Sequence, residues 1–196
     1  EKRRSKLNYD YETFWGFNKI TDVPDFIKNK MRRNNCSDNL FRGKCCHFFS
    51  YFSILKKIVE NKIDNVIVCE DDAILKTKLE DFYDVDYPML MTGELLHPTN
   101  YKKKLEDKID FKDGVNFLDY SKYRWCCSAA IYYPSYKNAE EIIEKIGNSK
   151  SITHTDLWLG KNQLVKYIHY PSIFKIKDDK ISQISKGKGE IDNYNQ

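Results

Sequence analysis

Apolar and polar positions along the chain follow two rhythms, one typical of helices and one of strands. In residues 47–61, HFFSYFSILKKIVEN, apolar side chains recur every three or four positions, and charged side chains occupy the opposite positions, which predicts an amphipathic helix. Residues 138–146, NAEEIIEKI, show the same period. The segment TDVPDFIKNKMRRN predicts a short helix, with Thr21 or Asp22 as its cap and Pro24 in its first turn.

Short apolar runs rich in β-branched residues predict buried strands between these helices. They are VIVCE (66–70), YPMLMTG (87–93), SAAIYY (128–133) and LVKYIHYP (164–171), and residues 9–19, YDYETFWGFNK, alternate enough to predict one more strand that leads into a loop. Strands that alternate with helices predict an α/β sandwich with a mainly parallel sheet. VIVCE is expected to be a central strand of that sheet, covered on both faces.

The same pattern sets the expected domain organisation. Residues 1–177 are predicted to form one domain, and residues 178–196 a polar, loosely ordered tail. The chain opens on EKRRSKLNYD, with no hydrophobic strand, so we expect a first strand to be missing or the sequence to belong to a longer, multidomain protein. No apolar run approaches the roughly 20 residues of a membrane span, and no signal peptide is apparent, so we expect a soluble protein.

Composition narrows the classes of partner. The hydrophobic fraction of 41% and the aromatic fraction of 14% are typical of a folded globule. A net charge of +4, carried by short basic clusters without regularly spaced aromatic residues, predicts solvated surface and no nucleic-acid interface, and it suits a small anionic substrate such as a nucleotide diphosphate. Six cysteines without a CxxC motif favour buried free thiols in a reducing, cytoplasmic compartment, as in a microbial protein or a viral protein in a host cytosol.

Three adjacent acids, Glu70, Asp71 and Asp72, follow the predicted strand VIVC directly. Ligands of open α/β sheets bind beyond the carboxyl ends of the strands. Alternation along a strand would turn Glu70 and Asp72 to one side and Asp71 to the other, and two convergent carboxylates suit Mg²⁺ or Mn²⁺, which in turn binds a diphosphate. The alternative is that the acids cap the next segment or form a solvated turn.

These residues carry a resemblance to a known family. VIVCEDDAIL, residues 66–75, resembles the strand and E-D-D motif of glycosyltransferase family 25, which includes lipooligosaccharide and collagen galactosyltransferases. Gly43, Cys46 and residues 54–58 are similar to that family's Gly-Cys-x-x-Ser-His-x-x-x-Trp-x-x-Ile segment. Phe49-Ser50 stands where Ser-His is usual, and His47 is displaced by about three positions.

The resemblance extends over nearly the whole chain. The further matching positions are the Arg3-Arg4 pair, Ala130-Ile131-Tyr132-Tyr133 followed by Ala139, Asp156, and Pro171 with Ser182 and Ile184. The resemblance implies a GT-A (Rossmann-like) fold, a nucleotide-sugar donor that is usually UDP-linked, and a divalent cation, Mn²⁺ or Mg²⁺. It implies that Asp72 is the metal ligand and Glu70 its companion, while Asp71, Arg3 and Arg4 contribute to donor binding. A late histidine completes the metal site in some GT-A folds, and His154 and His169 are the candidates here, of which we expect His169.

A second informative stretch is THTDLWLGKN, residues 153–162. Asp156 in T-D-L-W-L-G resembles the catalytic carboxylate of the E-D-V-x-x-G segment in inverting GT-A enzymes, where a base must reach the acceptor hydroxyl. Trp158 is then expected to stack on a sugar ring. The alternative is that Thr155 or Asp156 caps a short helix whose Leu157 and Trp158 are core residues.

Three further polar residues complete the expected substrate site. Glu94 and His97 follow the strand YPMLMT, and His154 precedes Asp156, so each is a candidate contact to donor or acceptor sugar.

The expected function is metal-dependent, inverting transfer of a hexose, galactose or glucose, from a nucleotide sugar to a glycan or protein hydroxyl. One alternative is a degenerate, non-catalytic module that binds glycan or nucleotide. Another is a metal-dependent phosphoryl-transfer or nuclease domain, although the chain has no GxxxxGK[ST] loop.

Overall fold

The computed structural model describes residues 12–33, 36–80, 82–97, 100–104, 111–126 and 128–176. Arg3, Arg4 and the predicted tail 178–196 therefore lie outside the described residues. The helical elements are a 3₁₀ turn at Ile20–Asp22, α1 (Asp25–Lys30), α2 (Asp38–Glu60), α3 (Tyr136–Asn148) and α4 (Thr155–Lys161). The strands are β1 (Val66–Cys69), β2 (Ala73–Leu75), β3 (Met89–Leu90), β4 (Glu94–His97), β5 (Asn100–Lys104), β6 (Gly114–Phe117), β7 (Arg124–Cys126), β8 (Ala130–Tyr133), β9 (Tyr167–Tyr170) and β10 (Phe174–Ile176).

The predicted helices are confirmed, and the longest of them extends further than its apolar pattern. α2 begins after Ser37, whose hydroxyl accepts a hydrogen bond from the Leu40 N–H at 3.3 Å. Its buried face includes Phe48, Leu55 and Ile58, and α3 packs against it. α1 is also present, although Pro24 is its N-cap rather than a first-turn residue. The strand predicted over 9–19 is wrong for residues 12–19, which have no regular secondary structure.

A five-stranded sheet in the order β1-β8-β3-β9-β6 forms the centre of the mixed α/β fold. The prediction of a mainly parallel sheet is wrong for the described residues, because only β3 and β9 pair in parallel, whereas β1–β8, β3–β8 and β6–β9 are antiparallel. Parallel neighbours need a long crossover, usually helical. α3 and α4 lie in the chain between β3 and β9, while no described α-helix separates β1 from β8.

Strand β1 lies at one edge of this sheet, among the residues that the structure describes, and not at its centre. Val66, Ile67 and Val68 are half-buried, and Cys69 is exposed. The expectation of a central strand covered on both faces is therefore wrong. An apolar, β-branched run predicted the strand correctly, but it does not specify the strand's neighbours.

Two smaller sheets flank the main one and position its loops. β2 pairs with β10, and β4 lies between β5 and β7. β2 starts four residues after β1 ends, so the short connection that holds the three acids is tied to the main sheet on one side and to the β2–β10 pair on the other. Within the described part of the chain, no helix has both the length and the apolar character that crossing a bilayer requires.

The four thiols described by the structure are free, as expected, but only two of them are buried. Cys36, Cys45, Cys46 and Cys69 form no disulfide, and Cys45 and Cys46 are buried in the core. Burial raises the pKa of Cys45 to about 11, so this thiol stays protonated and behaves as a small apolar side chain.

Candidate functional site

The three acids occupy a tight turn between β1 and β2. The Ala73 N–H donates a hydrogen bond to the Glu70 carbonyl at 3.2 Å, and the Glu70 N–H donates to the Ala129 carbonyl at 2.8 Å. Because β1 ends at Cys69, the alternation of a strand does not extend over the acids. The parity expected for Glu70 and Asp72 therefore has no structural basis, and the alternative of a turn is correct for the backbone.

The three carboxylates of this acidic turn, Glu70–Asp72, differ in their exposure. Asp71 is exposed and the Glu70 side chain is 45% exposed, whereas Asp72 is half-buried and its Oδ1 atom is buried. Asp72 is thus the acid that points furthest into the protein.

His47 connects the acidic turn to the start of α4. Its Nε2 lies 3.0 Å from Glu70 Oε1, and its Nδ1 lies 3.1 Å from Thr155 Oγ1. Burial disfavours the charged ring, but the hydrogen bond and the charge of Glu70, together with the charge of Asp156, outweigh this effect and raise the pKa of His47 above its usual value. One imidazole therefore joins residues from two distant parts of the sequence.

Asp156 lies in the first turn of α4 and is held by the backbone of a neighbouring segment. Its Oδ2 accepts a hydrogen bond from the Ser128 N–H at 3.1 Å, and its carboxylate is half-buried. His154 is the N-cap of α4, so the alternative in which Thr155 or Asp156 is the cap is wrong. A carboxylate in the first turn is stabilised by the partial positive charge at the helix N-terminus.

Two buried phenols lie near Asp156. The Tyr51 and Tyr133 hydroxyls are hydrogen-bonded to each other, and the two side chains are 8% and 0% exposed. Burial raises the pKa of both, and the nearby charge of Asp156 raises it further. Both hydroxyls are therefore neutral in the folded protein and can only donate or accept hydrogen bonds.

Trp158 is a core residue and is not available to a sugar. Its side chain is 4% exposed, and its ring packs edge-to-face on Phe48 with the centroids 5.9 Å apart. The prediction that it stacks on a substrate is wrong for this structure, and the part of the alternative that placed Trp158 in the core is correct. The helical spacing that brings Asp156 to the site turns Trp158 away from it.

His169 lies apart from the acidic turn. β9 is three strands away from β1, about 14 Å at the usual strand spacing, and His169 Nδ1 is 2.9 Å from the Pro171 carbonyl. The structure does not bring this histidine to Glu70 or Asp72 as a shared metal site requires. In the six described stretches, no group of three or more His, Cys, Asp or Glu side chains is placed to hold a metal ion.

The remaining predicted residues are described in part or not at all. The backbone of Glu94 and His97 belongs to β4, which begins four residues after β3 ends, but their side chains lie outside the description. Arg3 and Arg4 are outside it altogether. His154 is half-buried beside Asp156.

Sequence reasoning missed five members of the site: His47, Thr155, Ser128, Tyr51 and Tyr133. A signal existed for two of them, because His47 and Tyr51 are four residues apart on a predicted helix and hence share a face. The other three are ordinary residues at element ends, where only the fold shows which groups they meet.

Comparison with known proteins adds one finding. The family model described as glycosyltransferase family 25 (LPS biosynthesis protein) matches residues 1–122. This range includes His47 and the acidic turn, whereas Ser128, Thr155 and Asp156 follow it. No individual curated protein and no solved structure matches the chain significantly.

The Tyr51–Tyr133 pair gives a prediction about stability. Tyr51→Phe and Tyr133→Phe should each lower the free energy of unfolding by about 1–3 kcal/mol, because each leaves a buried hydroxyl without this partner. The double variant should cost clearly less than the sum of the two, since no hydroxyl is then stranded. Urea denaturation measures all three, with Tyr136→Phe on the half-buried start of α3 as a control. Strict additivity of the two changes would contradict the pairing.

Proposed function

Because this chain belongs to glycosyltransferase family 25, whose model matches residues 1–122, we propose that it transfers a hexose from a UDP-linked nucleotide sugar to a hydroxyl group of a glycan or protein, with inversion at the anomeric carbon. The chain is a glycosyltransferase by family, with a sugar donor and an acceptor. The observation that carries the finer proposal is that His47 links Glu70 of the acidic turn to Thr155, the residue that precedes Asp156.

Asp156 is the proposed base. In the transfer step the acceptor oxygen attacks the anomeric carbon, the bond from that carbon to the diphosphate oxygen breaks, and the electron pair leaves with the diphosphate. The acceptor proton moves to the Asp156 carboxylate, of which Oδ2 is held by the Ser128 N–H. A carboxylate fixed by a backbone donor keeps its orientation, which general base catalysis requires.

The acidic turn is the proposed binding site for the cation and the diphosphate. Mg²⁺ and Mn²⁺ sites on phosphate substrates commonly use one or two carboxylates, with the phosphates and water as the other ligands. Asp72, with one oxygen directed inward, and the neighbouring Asp71 fit such a donor set, while Glu70 is engaged by His47. A bound cation would stabilise the charge of the departing diphosphate.

The charge of the chain as a whole suits an anionic donor. The chain carries a net charge of +4, which favours the approach of a nucleotide diphosphate. His154, Glu94 and His97 remain candidates for contacts to the two sugars. The acids follow a sheet strand, as expected for a GT-A-like site, although the described pairings of the sheet are mostly antiparallel.

Ligand-induced stabilisation tests the donor and the cation together. We expect one nucleotide sugar to raise the Tm only when Mn²⁺ is present, because the proposed site binds the diphosphate through the cation. A ligand at 100 times its Kd adds about 2.7 kcal/mol to the free energy of unfolding. Asp72→Asn should remove the cation-dependent part of this shift, whereas Glu144→Gln, an exposed change on α3, should keep it. Equal stabilisation with and without the cation would contradict the proposed donor site.

Asp156→Asn tests the base. The amide oxygen of asparagine can still accept from the Ser128 N–H, so we expect the fold and the donor Kd to be retained. The kcat for sugar transfer should fall by about 10²–10⁴, the usual contribution of a general base. Glu144→Gln again serves as the control in a transfer assay. A variant that turns over at the wild-type rate would show that Asp156 is not the base, and donor binding without turnover in the wild type would favour the non-catalytic module.

A further inference from the structure

A closed ring of hydrogen bonds joins the two halves of the proposed site. His47 binds Glu70 and Thr155, Glu70 binds the Ala129 carbonyl through its N–H, and Asp156, next to Thr155, binds the Ser128 N–H. The chain itself closes the ring at two places, where residue 128 joins 129 and residue 155 joins 156. The acidic turn and the proposed base are thus connected by two routes, the His47 side chain and the 128–129 backbone.

We propose that His47 and Glu70 are positioning residues that keep the acidic turn in register with Asp156, an inference that rests on the proposed function. Glu70 then binds His47 and does not bind the cation, which is left to Asp71 and Asp72. The sequence alone did not separate these roles among the three adjacent acids.

His47 is anchored more firmly in the fold than its two partners, Glu70 and Thr155. His47 belongs to the 23-residue helix α2, and the residues on both sides of it, Cys46 and Phe48, are 5% and 0% exposed. Glu70 lies in a turn at the edge of the sheet, and Thr155 is the first residue of a seven-residue helix. A rigid helix therefore supplies the fixed point, and the two less anchored elements are tied to it.

The chemistry of the partners makes this tie specific. A carboxylate only accepts, so His47 Nε2 donates to Glu70, and Nδ1 then accepts from the Thr155 hydroxyl when the ring is neutral. When the imidazole carries a second proton, Nδ1 donates to the same hydroxyl oxygen. Both hydrogen bonds of His47 therefore form in either protonation state. Thr155 is 3% exposed, and a buried hydroxyl without a partner is costly, which favours this contact.

Matched substitutions separate the hydrogen bonds from simple packing. Thr155→Val keeps the shape of the side chain and removes the hydroxyl, whereas Thr155→Ser keeps the hydroxyl. His47→Gln can place an amide donor near Glu70 but cannot also reach Thr155, so it cuts one half of the bridge. Glu70→Gln keeps an acceptor oxygen and removes the charge.

Transfer kinetics and donor binding are the first measurements. We expect Thr155→Val and His47→Gln to lower kcat by about 10- to 100-fold, since small misplacements of reacting groups have effects of this size. The donor Kd should change less than threefold, and Thr155→Ser should stay within threefold of the wild-type kcat. Glu70→Gln should raise the cation concentration for the half-maximal Tm shift far less than Asp72→Asn does. Equal kcat in Thr155→Val and Thr155→Ser, or a cation requirement raised as much by Glu70→Gln as by Asp72→Asn, would overturn the proposal.

A measurement without turnover separates this inference from the proposed function. Amide hydrogen exchange at Ala73 and Glu70, whose N–H groups are hydrogen-bonded in and beside the turn, should speed up at least threefold in Thr155→Val and stay at the wild-type rate in Thr155→Ser. This result is expected even if the wild type transfers no sugar. In that case the proposed function would be contradicted, and the ring of hydrogen bonds would still be supported. Unchanged exchange in Thr155→Val would overturn the ring itself.

Discussion

The imidazole of His47 is the contact on which the geometry of the site depends. It lies 3.0 Å from the Glu70 carboxylate and 3.1 Å from the Thr155 hydroxyl, and these two partners are 85 positions apart in the chain. β1 is a four-residue strand at the edge of the described sheet, and α4 is a helix of seven residues. Because α2 is packed into the core on both sides of His47, the histidine transmits the rigidity of the core to both elements. The approach of the acidic turn to Asp156 follows from this arrangement.

Burial below the site limits what its polar groups can do. The hydroxyls of Tyr51 and Tyr133 are hydrogen-bonded to each other near Asp156, and Trp158 packs edge-to-face on Phe48 in the core. Because these side chains are buried, a ligand that comes from solvent meets the half-buried Asp156 and the acidic turn, and not the phenols or Trp158.

Periodicity in the sequence predicts much of this fold, because it reflects which faces are buried. The helices around Leu55 and Ile142 and the strands β1, β8 and β9 were all predicted from it. The direction of strand pairing and the edge position of β1 were not predicted, because the local pattern of a strand does not specify its neighbours. The acids and Asp156 stood out by residue type. The bridge through His47 did not, since it depends on the distance between residues that only the folded chain brings together.

The family match and the hydrogen bonds cover different residues of the candidate site. The match ends at residue 122 and contains His47 and Glu70–Asp72, while Ser128 and Asp156 join them only through the fold.

The most direct test is an NMR titration of ¹⁵N-labelled protein with a nucleotide diphosphate and Mg²⁺. We expect chemical-shift changes in the amides of Glu70, Asp72, Ala73 and Ser128. Changes confined to β6 and β9, with these four amides unmoved, would contradict it.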